Sequence, residues 1–190
     1  MPDSRLIVGI SGASGVMLGI RLLEYLKTRA DIESHLVVSK AAERTILLET
    51  DYAIEAVHAL ADVHHPVKDI GAAIASGSFR TAGMIMAPTS IRTMGEIATG
   101  VTTSLLTRAA DVTLKERRPL ILMVRESPLH LGHIRSMAAV TEMGAIVAPP
   151  VPAFYPRPAS IEAILDNMIG RALDLAGIDN TLAFRWREGG

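Results

Sequence analysis

Short, wholly apolar runs alternate along this chain with longer segments in which apolar residues recur at helical spacing. The runs cover residues 6–10, 36–38, 84–87, 120–124 and 145–148. After the first run, Leu18, Leu22 and Leu26 fall on one face of a helix. Strands that are apolar along their whole length are buried on both faces, as in a parallel sheet. The pattern therefore predicts a doubly wound, mostly parallel sheet in a three-layer αβα sandwich of the Rossmann or flavodoxin-like kind.

The remaining helices and their ends follow from periodicity and glycine placement. Further helices are predicted at 41–48, 105–117, 133–143 and 161–176, with a short helix ending near residue 100. Gly100, Gly144 and Gly177 are predicted to lie at helix ends, and Pro88 to end the third strand. A length of 190 residues suffices for one α/β domain with its own core, so we predict a single domain over 1–190.

Composition excludes several classes of protein. The formal net charge is −1 and the aromatic fraction 4%, which argues against nucleic acid as a partner. The absence of cysteine excludes a disulfide scaffold, a zinc finger and cysteine nucleophiles. No apolar stretch reaches the roughly 20 residues of a membrane span, and no secretory signal is recognisable. We therefore expect a cytoplasmic protein without a membrane partner.

Glycines and hydroxyls follow the first strands, where ligands bind in doubly wound folds. Gly9, Gly12 and Gly15 are spaced GxxGxxG, which lets backbone N–H groups approach a phosphate, although tight packing at the turn explains them equally well. The second strand ends in Ser39-Lys40 instead of the acidic residue of NAD-binding folds, so a mononucleotide phosphate is the better candidate.

The loop after the third strand reads Pro-Thr-Ser-Ile-Arg-Thr at 88–93. Serine and threonine are common helix N-caps, but this loop is predicted to lie beside the glycine loop, where its hydroxyls and guanidinium would meet the same ligand.

Charge is concentrated at 108–118, where Asp111 is placed to pair with Arg108. Arg125 and Glu126 end a buried strand, which is where catalytic groups lie in this architecture.

Together these segments resemble one family, the UbiX/Pad-type flavin prenyltransferases, from about residue 5 to 186. The matching segments are Gly12-Ala13-Ser14-Gly15, Ser39-Lys40-Ala41-Ala42, Glu49-Thr50, Ser76-Gly77-Ser78-Phe79, 108–118, Arg125-Glu126 with Pro128-Leu129, 152–155 and 171–178. The detailed resemblance is to the small component of phenolic-acid and hydroxyarylic-acid decarboxylase systems.

The resemblance implies a flavoprotein that binds FMN and dimethylallyl monophosphate. Such enzymes attach the prenyl group to N5 and C6 of reduced FMN, without a metal, and pass the prenylated FMN to a UbiD-type decarboxylase. They are dodecamers with active sites between subunits, so we expect the helix and tail from about residue 160 to contribute to oligomer contacts.

The resemblance also assigns site residues. The FMN ligands it implies are Gly12, Ala13, Ser14, Ser39, Thr89, Ser90, Ile91, Arg92 and Arg108. The prenyl phosphate is expected to contact Lys115, Arg125, Glu126, Tyr155 and Arg171, some of them from neighbouring subunits. The catalytic set is Glu49, Lys115, Arg125 and Glu126, with Glu49 assisting proton movements and Glu126 protonating the leaving phosphate.

The chain departs from the family pattern at three places. Thr89 stands where cysteine is usual, Arg92 adds charge near the flavin, and Thr103-Ser104 replace an Asn- or Asp-Asn pair. Two alternatives therefore stay open. One is an FMN-dependent oxidative decarboxylase of a cysteine-containing substrate, although the chain lacks the asparagine of that motif, and His58, His64 and His65 lie in a predicted helix-to-loop stretch. The other is a module that binds FMN without chemistry.

Overall fold

A six-stranded sheet crosses the centre of the computed structural model, which describes residues 4–186. Its strands are β1 (Ser4–Ile10), β2 (Ile32–Val38), β3 (Val63–His65), β4 (Gly83–Thr89), β5 (Leu120–Val124) and β6 (Ile146–Val147). All neighbouring strands are parallel, and their order is β3-β2-β1-β4-β5-β6. This is the Rossmann order, in which the direction of winding reverses between β1 and β4. The predicted fold class is confirmed, with a sheet that is wholly parallel.

Seven α-helices of the described chain cover both faces of the sheet. They are α1 (Met17–Leu26), α2 (Lys40–Glu49), α3 (Ile54–His58), α4 (Ile91–Ala98), α5 (Leu105–Lys115), α6 (Leu131–Glu142) and α7 (Ile161–Leu175). Helices α1, α2, α3 and α7 bury their apolar residues on one face, and α4, α5 and α6 bury theirs on the other. None of these helices is long and apolar enough to cross a bilayer.

The fourth strand continues past the point where the sequence predicted its end. Pro88 lies inside β4, which runs to Thr89. The pairing of β4 with β5 is irregular between Met86 and Thr89, so the missing N–H of Pro88 interrupts no regular ladder. The predicted end was therefore wrong by two residues.

The edge strand β3 and the short helix α3 were not predicted. Residues 58–65 were expected to form a helix-to-loop stretch, whereas His64 and His65 pair with β2. The strand has three residues and two of them are histidines, so no apolar run marks it. Conversely, Gly100, Gly144 and Gly177 have positive φ angles just beyond helix ends, as predicted.

Two helical glycines provide a test of the packing. A methyl group at Gly19 of α1 would collide with the Ala87 carbonyl oxygen and lie 2.8 Å from Ile10 Cδ1, whereas one at Gly95 of α4 would meet nothing within 4 Å. We expect Gly19→Ala to lower the free energy of unfolding by about 1–3 kcal/mol through overpacking. Gly95→Ala should raise it by about 0.5–1 kcal/mol through helix propensity. Urea denaturation of both variants measures this, and equal effects would contradict the packing of α1 described above.

Candidate functional site

The loops that follow β1 and β4 are held together by Ser11. Its buried hydroxyl donates to the Pro88 carbonyl oxygen at 2.9 Å and accepts from the Ser90 backbone N–H at 2.6 Å. The Ser11 N–H also donates to the Pro88 carbonyl, at 3.2 Å. The two loops therefore meet where the winding of the sheet reverses, which is the ligand-binding position of doubly wound folds.

Several helices begin at this edge of the sheet, and the serine N-caps of three of them, α2, α4 and α5, line one space. The hydroxyls of Ser39, Ser90 and Ser104 accept hydrogen bonds from the first turns of α2, α4 and α5, respectively. Helix N-termini carry partial positive charge and N–H groups without helical partners. Three of them around one space favour an anion there.

A cavity of about 480 Å³ lies between these helix N-termini. Its lining includes Gly12, the three serine caps, the hydroxyl residues Thr93, Thr103 and Thr107, and the cationic residues Lys40, Lys68 and Arg92. Cations and hydroxyls around one cavity are donors that suit a phosphate monoester, and Lys40 and Arg92 also pair with Glu43 and Glu96, respectively. The structure therefore brings Gly12, Ser39, Ser90 and Arg92 together, as predicted from the sequence.

The glycine loop fits the requirement for close backbone approach. A methyl group at Gly12 would collide with Ala41 in the first turn of α2, so this position admits glycine alone without rearrangement. Ala13 and Ser14 follow in the same loop, and the Ser14 side chain is exposed. The loop and the serine-capped helices together fit the phosphate end of FMN.

Glu49 lies against the same loop. Its Oε2 accepts from the N–H groups of Gly15 at 2.8 Å and Val16 at 3.3 Å, at the start of α1. A carboxylate at a helix N-terminus is electrostatically favoured, so the negative charge of Glu49 is stabilised beside the predicted flavin loop. The structure thus places this predicted catalytic residue against the end of the glycine loop, at Gly15 and Val16.

Arg92 is held at the cavity by an acidic residue that the sequence interpretation did not single out. Its Nε lies 3.0 Å from Glu96 Oε1, and the other carboxylate oxygen accepts from the Thr103 hydroxyl at 2.6 Å. Thr103 and Ser104 are the two residues that stand where the family pattern has an Asn- or Asp-Asn pair. The carboxylate of Glu96 therefore links Arg92 of α4 to Thr103 beside the cavity.

Two other predicted FMN ligands have partners within the protein. Thr89 is fully buried and its hydroxyl donates to the Met86 carbonyl oxygen at 2.9 Å, so the side chain is directed into the protein interior. Arg108, in the first turn of α5, pairs with Asp111 at 2.8 Å, which confirms the predicted ion pair. Ile91 is partly buried against the hydrophobic core on the α4 side of the sheet.

Arg125 and Glu126 follow β5 at the carboxyl edge of the sheet. The Arg125 N–H donates to the Thr89 carbonyl oxygen at 3.1 Å, which fixes the backbone of Arg125 beside the end of β4. Glu126 Oε1 accepts from the Ser127 N–H at 2.9 Å. Both side chains are exposed, so they are accessible to a substrate.

Lys115 lies at the opposite edge of the sheet. It ends α5, just before β5 begins, whereas Arg125 follows the end of β5. Five strand residues separate the two edges by about 16 Å, at ~3.3 Å per residue. Lys115 Nζ pairs with Glu116 Oε1 at 2.6 Å, and this hydrogen bond lowers the pKa of Glu116. One chain therefore does not bring Lys115 to Arg125 and Glu126.

A third group consists of Tyr155, Arg171 and the tail, the segment of residues 178–186 that follows α7. The Tyr155 ring packs edge-on against Phe184 and Trp186, with centroid separations of 5.5 and 5.3 Å. Arg171 pairs with Asp174, which also binds Arg185 of the tail. Two of the five residues predicted for the prenyl phosphate are thus linked through the same short segment.

Several residues of the site escaped the sequence interpretation. Ser11, Ser104, Thr107 and Lys68 are small or lone polar residues whose role depends on contacts between distant segments. Ser104 carried one usable signal, because it precedes an apolar helical pattern as an N-cap does, and the structure shows a capping box with Thr107. Ser11 carried none, because its partners lie 77 and 79 residues away.

Comparisons with known proteins identify the family of the chain. The family model described as Flavoprotein matches residues 1–178. The flavin prenyltransferase UbiX of Escherichia coli strain K12 is 55% identical over 185 residues, which cover 96% of this chain and 98% of that protein.

Solved structures agree over the same length. The crystal structure of AnUbiX with FMN and dimethylallyl pyrophosphate matches with a TM-score of 0.95 and 47% identity, covering 99% of this chain and all of that one. A dodecameric FMN-dependent UbiX-like decarboxylase from Escherichia coli O157:H7 matches with a TM-score of 0.93 and 46% identity, covering 96% and 99%. The cysteine decarboxylase TvaF, at 16% identity and a TM-score of 0.67, shares the fold alone.

The histidines that would serve a decarboxylase are engaged in structural contacts. His35 Nδ1 lies 2.9 Å from His65 Nε2, and its Nε2 lies 2.7 Å from Glu33. His58 and His64 stack at a centroid separation of 3.6 Å. No histidine is among the residues that line the cavity, and no group of three His, Asp or Glu within residues 4–186 is arranged to hold a metal ion.

The stacked pair should make stability depend on pH. Burial lowers the pKa values of His58 and His64 below 6.5, so the unfolded chain binds protons more readily than the folded one. The free energy of unfolding should therefore fall as the pH drops from about 7.5 to about 5.5. His58→Phe retains a stacked ring and removes one proton site, and it should reduce this dependence. Urea midpoints at both pH values test it, and an unchanged difference between them would be evidence against the assignment.

Proposed function

The chain belongs to the UbiX flavin prenyltransferases of the flavoprotein family, and we propose that it transfers a dimethylallyl group to reduced FMN. The observation that carries this proposal is the cavity of about 480 Å³ between three serine-capped helix N-termini, in a chain that matches flavin prenyltransferases along nearly its whole length. The product, prenylated FMN, is the cofactor that a UbiD-type aromatic acid decarboxylase would receive.

The cavity binds the phosphate of FMN. Backbone N–H groups at the starts of α2, α4 and α5 approach the phosphate oxygens, while Lys40, Lys68 and Arg92 neutralise their charge. Gly12, Ala13 and Ser14 would hold the flavin ring, with Glu49 at the end of the same loop. Thr89, which is fully buried, and Ile91, which is partly buried, flank the cap residue Ser90, and Arg108 lies in the first turn of α5.

The reaction forms bonds from two prenyl carbons to N5 and C6 of the reduced flavin. The C–O bond to the donor phosphate breaks and its electron pair leaves with the phosphate, the protons on N5 and C6 are lost, and the prenyl double bond takes up one proton. The guanidinium of Arg125 stabilises the negative charge of the leaving phosphate, and Glu126 donates a proton to it. Glu49, held by Gly15 and Val16, accepts and returns protons at the flavin during ring closure.

A complete site requires more than one copy of the chain. Lys115 lies at the edge of the sheet opposite Arg125, and the five residues of β5 between the two edges span about 16 Å at ~3.3 Å per residue, so the Lys115 ammonium reaches the donor phosphate from a neighbouring subunit. Tyr155 and Arg171 lie on the surface beside the tail and complete the phosphate site. The homo-oligomer is a dodecamer, as the UbiX-like decarboxylase of Escherichia coli O157:H7 is, and the helix and tail from about residue 160 contribute to its contacts. We expect it to act in the cytoplasm.

The mass of the flavin after the reaction tests the proposal. The assembled protein is given reduced FMN without oxygen, together with either dimethylallyl monophosphate or the pyrophosphate, and the extracted flavin is analysed by mass spectrometry. The expected result is FMN heavier by one five-carbon unit. Unchanged FMN with both donors would instead favour the non-catalytic module, and carbon dioxide released from a cysteine-containing peptide would favour the decarboxylase.

Lys115 and Arg125 should affect transfer and leave FMN binding intact. If they neutralise the leaving phosphate, Lys115→Ala and Arg125→Ala should lower the rate of prenyl transfer by ~10²-fold or more, the scale of a lost preorganised electrostatic contact. Lys27→Ala is the matched control, because the Lys27 ammonium donates to the Ala59 carbonyl beyond the end of α1, at the amino edge of the sheet. Stopped-flow single turnovers measure the rate. Wild-type rates in both variants would contradict the role of these two side chains at the leaving phosphate.

Glu126→Gln keeps the shape of the side chain but cannot transfer a proton. The variant should bind FMN and donor, yet form prenylated flavin slowly, with partial recovery at lower pH because the phosphate then arrives protonated. The effect should be larger with the monophosphate, whose dianion leaves poorly. Glu55→Gln, at an exposed position of α3, serves as the control for loss of charge. Product formation at the normal rate would show that Glu126 is not the acid.

A further inference from the structure

Asp174 binds two arginines and an asparagine through one carboxylate. Arg185 approaches it with both terminal nitrogens, at 2.6 Å to Oδ2 and 2.8 Å to Oδ1. Asn180 Nδ2 donates to Oδ1 at 2.8 Å, and Arg171 donates to Oδ2. The Asp174 side chain is only 16% exposed, which distinguishes this arrangement from an ordinary surface ion pair.

The same contacts dock the tail onto α7. Asn180 Oδ1 accepts from the N–H groups of Leu182 and Ala183 at 3.1 and 3.0 Å, and Asn167 Oδ1 accepts from Phe184 N–H at 2.8 Å. A methyl group at Gly170 would collide with the Ala183 backbone, so this glycine lets the tail approach the helix. The tail is thereby fixed where its aromatic residues meet Tyr155.

The charge of Asp174 does not stabilise α7, the helix to which it belongs. It lies in the last turn of α7, where the partial negative charge of the helix C-terminus disfavours a carboxylate. The guanidinium of Arg185 nevertheless holds its pKa below the usual value, so the carboxylate stays ionised. One negative charge between two guanidinium groups leaves a net positive charge, and Arg171 retains the ability to attract a phosphate.

We propose that Asp174 is a positioning residue for the prenyl donor: it orients Arg171 and anchors the tail that packs Phe184 and Trp186 against Tyr155. The proposal rests on the function proposed above, because that function assigns Arg171 and Tyr155 to the donor phosphate. Asp174 itself does not contact substrate and acts through these two residues.

Asp174→Asn tests the proposal with two independent readouts in the assembled protein. Donor KM should rise about tenfold or more, the scale of a lost charge-assisted hydrogen bond, while kcat at saturating donor and the Kd for FMN stay near wild type. Trp186 is the only tryptophan of the chain, so acrylamide quenching of its fluorescence without FMN reports on the tail, and quenching should increase. Asp174→Glu should restore part of both effects.

Asp166→Asn is the matched control. Asp166 lies on the same helix and also receives two nitrogens of one arginine, but that arginine is Arg21 of α1 rather than a residue of the tail. The variant should leave donor KM and Trp186 quenching unchanged. If Asp174→Asn does not fold, Arg185→Gln releases the tail while keeping Asp174 with Arg171, and it should raise quenching with a smaller change in KM.

The outcomes separate this inference from the proposed function. A wild type that forms prenylated FMN, with an Asp174→Asn variant of unchanged donor KM, overturns the positioning role alone. Equal effects of Asp166→Asn and Asp174→Asn would show a general loss of helix packing and would also overturn it. A wild type that forms no prenylated FMN with either donor overturns the proposed function, and the donor role of Asp174 with it.

Discussion

The hydroxyl of Ser11 joins the two central strands of the sheet at their carboxyl ends, and the candidate site depends on that link. By donating to Pro88 and accepting from Ser90, it sets the start of α4 against the glycine loop that leads into α1. An unpaired buried hydroxyl or N–H would cost about 1–3 kcal/mol, so the two loops are held in one relative position. A cavity lined by three helix N-termini keeps its shape only if those N-termini cannot separate.

Most of the fold was predictable because burial on both faces of a parallel sheet leaves long apolar runs in the sequence. Strand β5 was predicted with its exact bounds, and α7 to within one residue. The edge strand β3 was missed because an edge needs little apolar surface: two of its three residues are histidines, which find their partners in a neighbouring strand or helix. Pro88 misled the prediction because the local irregularity of the ladder is not visible in the residue types.

The site was predictable in part, for a similar reason. Gly12, Ser39, Ser90 and Arg92 follow strand ends, so topology alone brings them to one cavity. The side chain of Thr89 occupies the same stretch of sequence but is directed inward, because successive residues of a strand face opposite sides. Glu96 was missed although it follows Arg92 by four residues, a spacing that indicates an ion pair on one helix face. Its contact with the Thr103 hydroxyl, seven residues away, leaves no such pattern.

The residues assigned to the prenyl phosphate are dispersed over one chain, and their dispersal is itself informative. Arg125 and Glu126 lie at the carboxyl edge, Lys115 at the amino edge, and Tyr155 with Arg171 beside the tail. Each of these side chains is exposed, and each of the two distant groups is held by local ion pairs or aromatic contacts. Negative charge develops on the phosphate as it leaves, and cations stabilise that charge best when they are already in position. Moving them into place during the reaction would cost part of the energy that they supply. In the proposed mechanism the local contacts, such as those of Asp174, therefore prepare each group separately, and the proposed assembly of several subunits is the step that would join them.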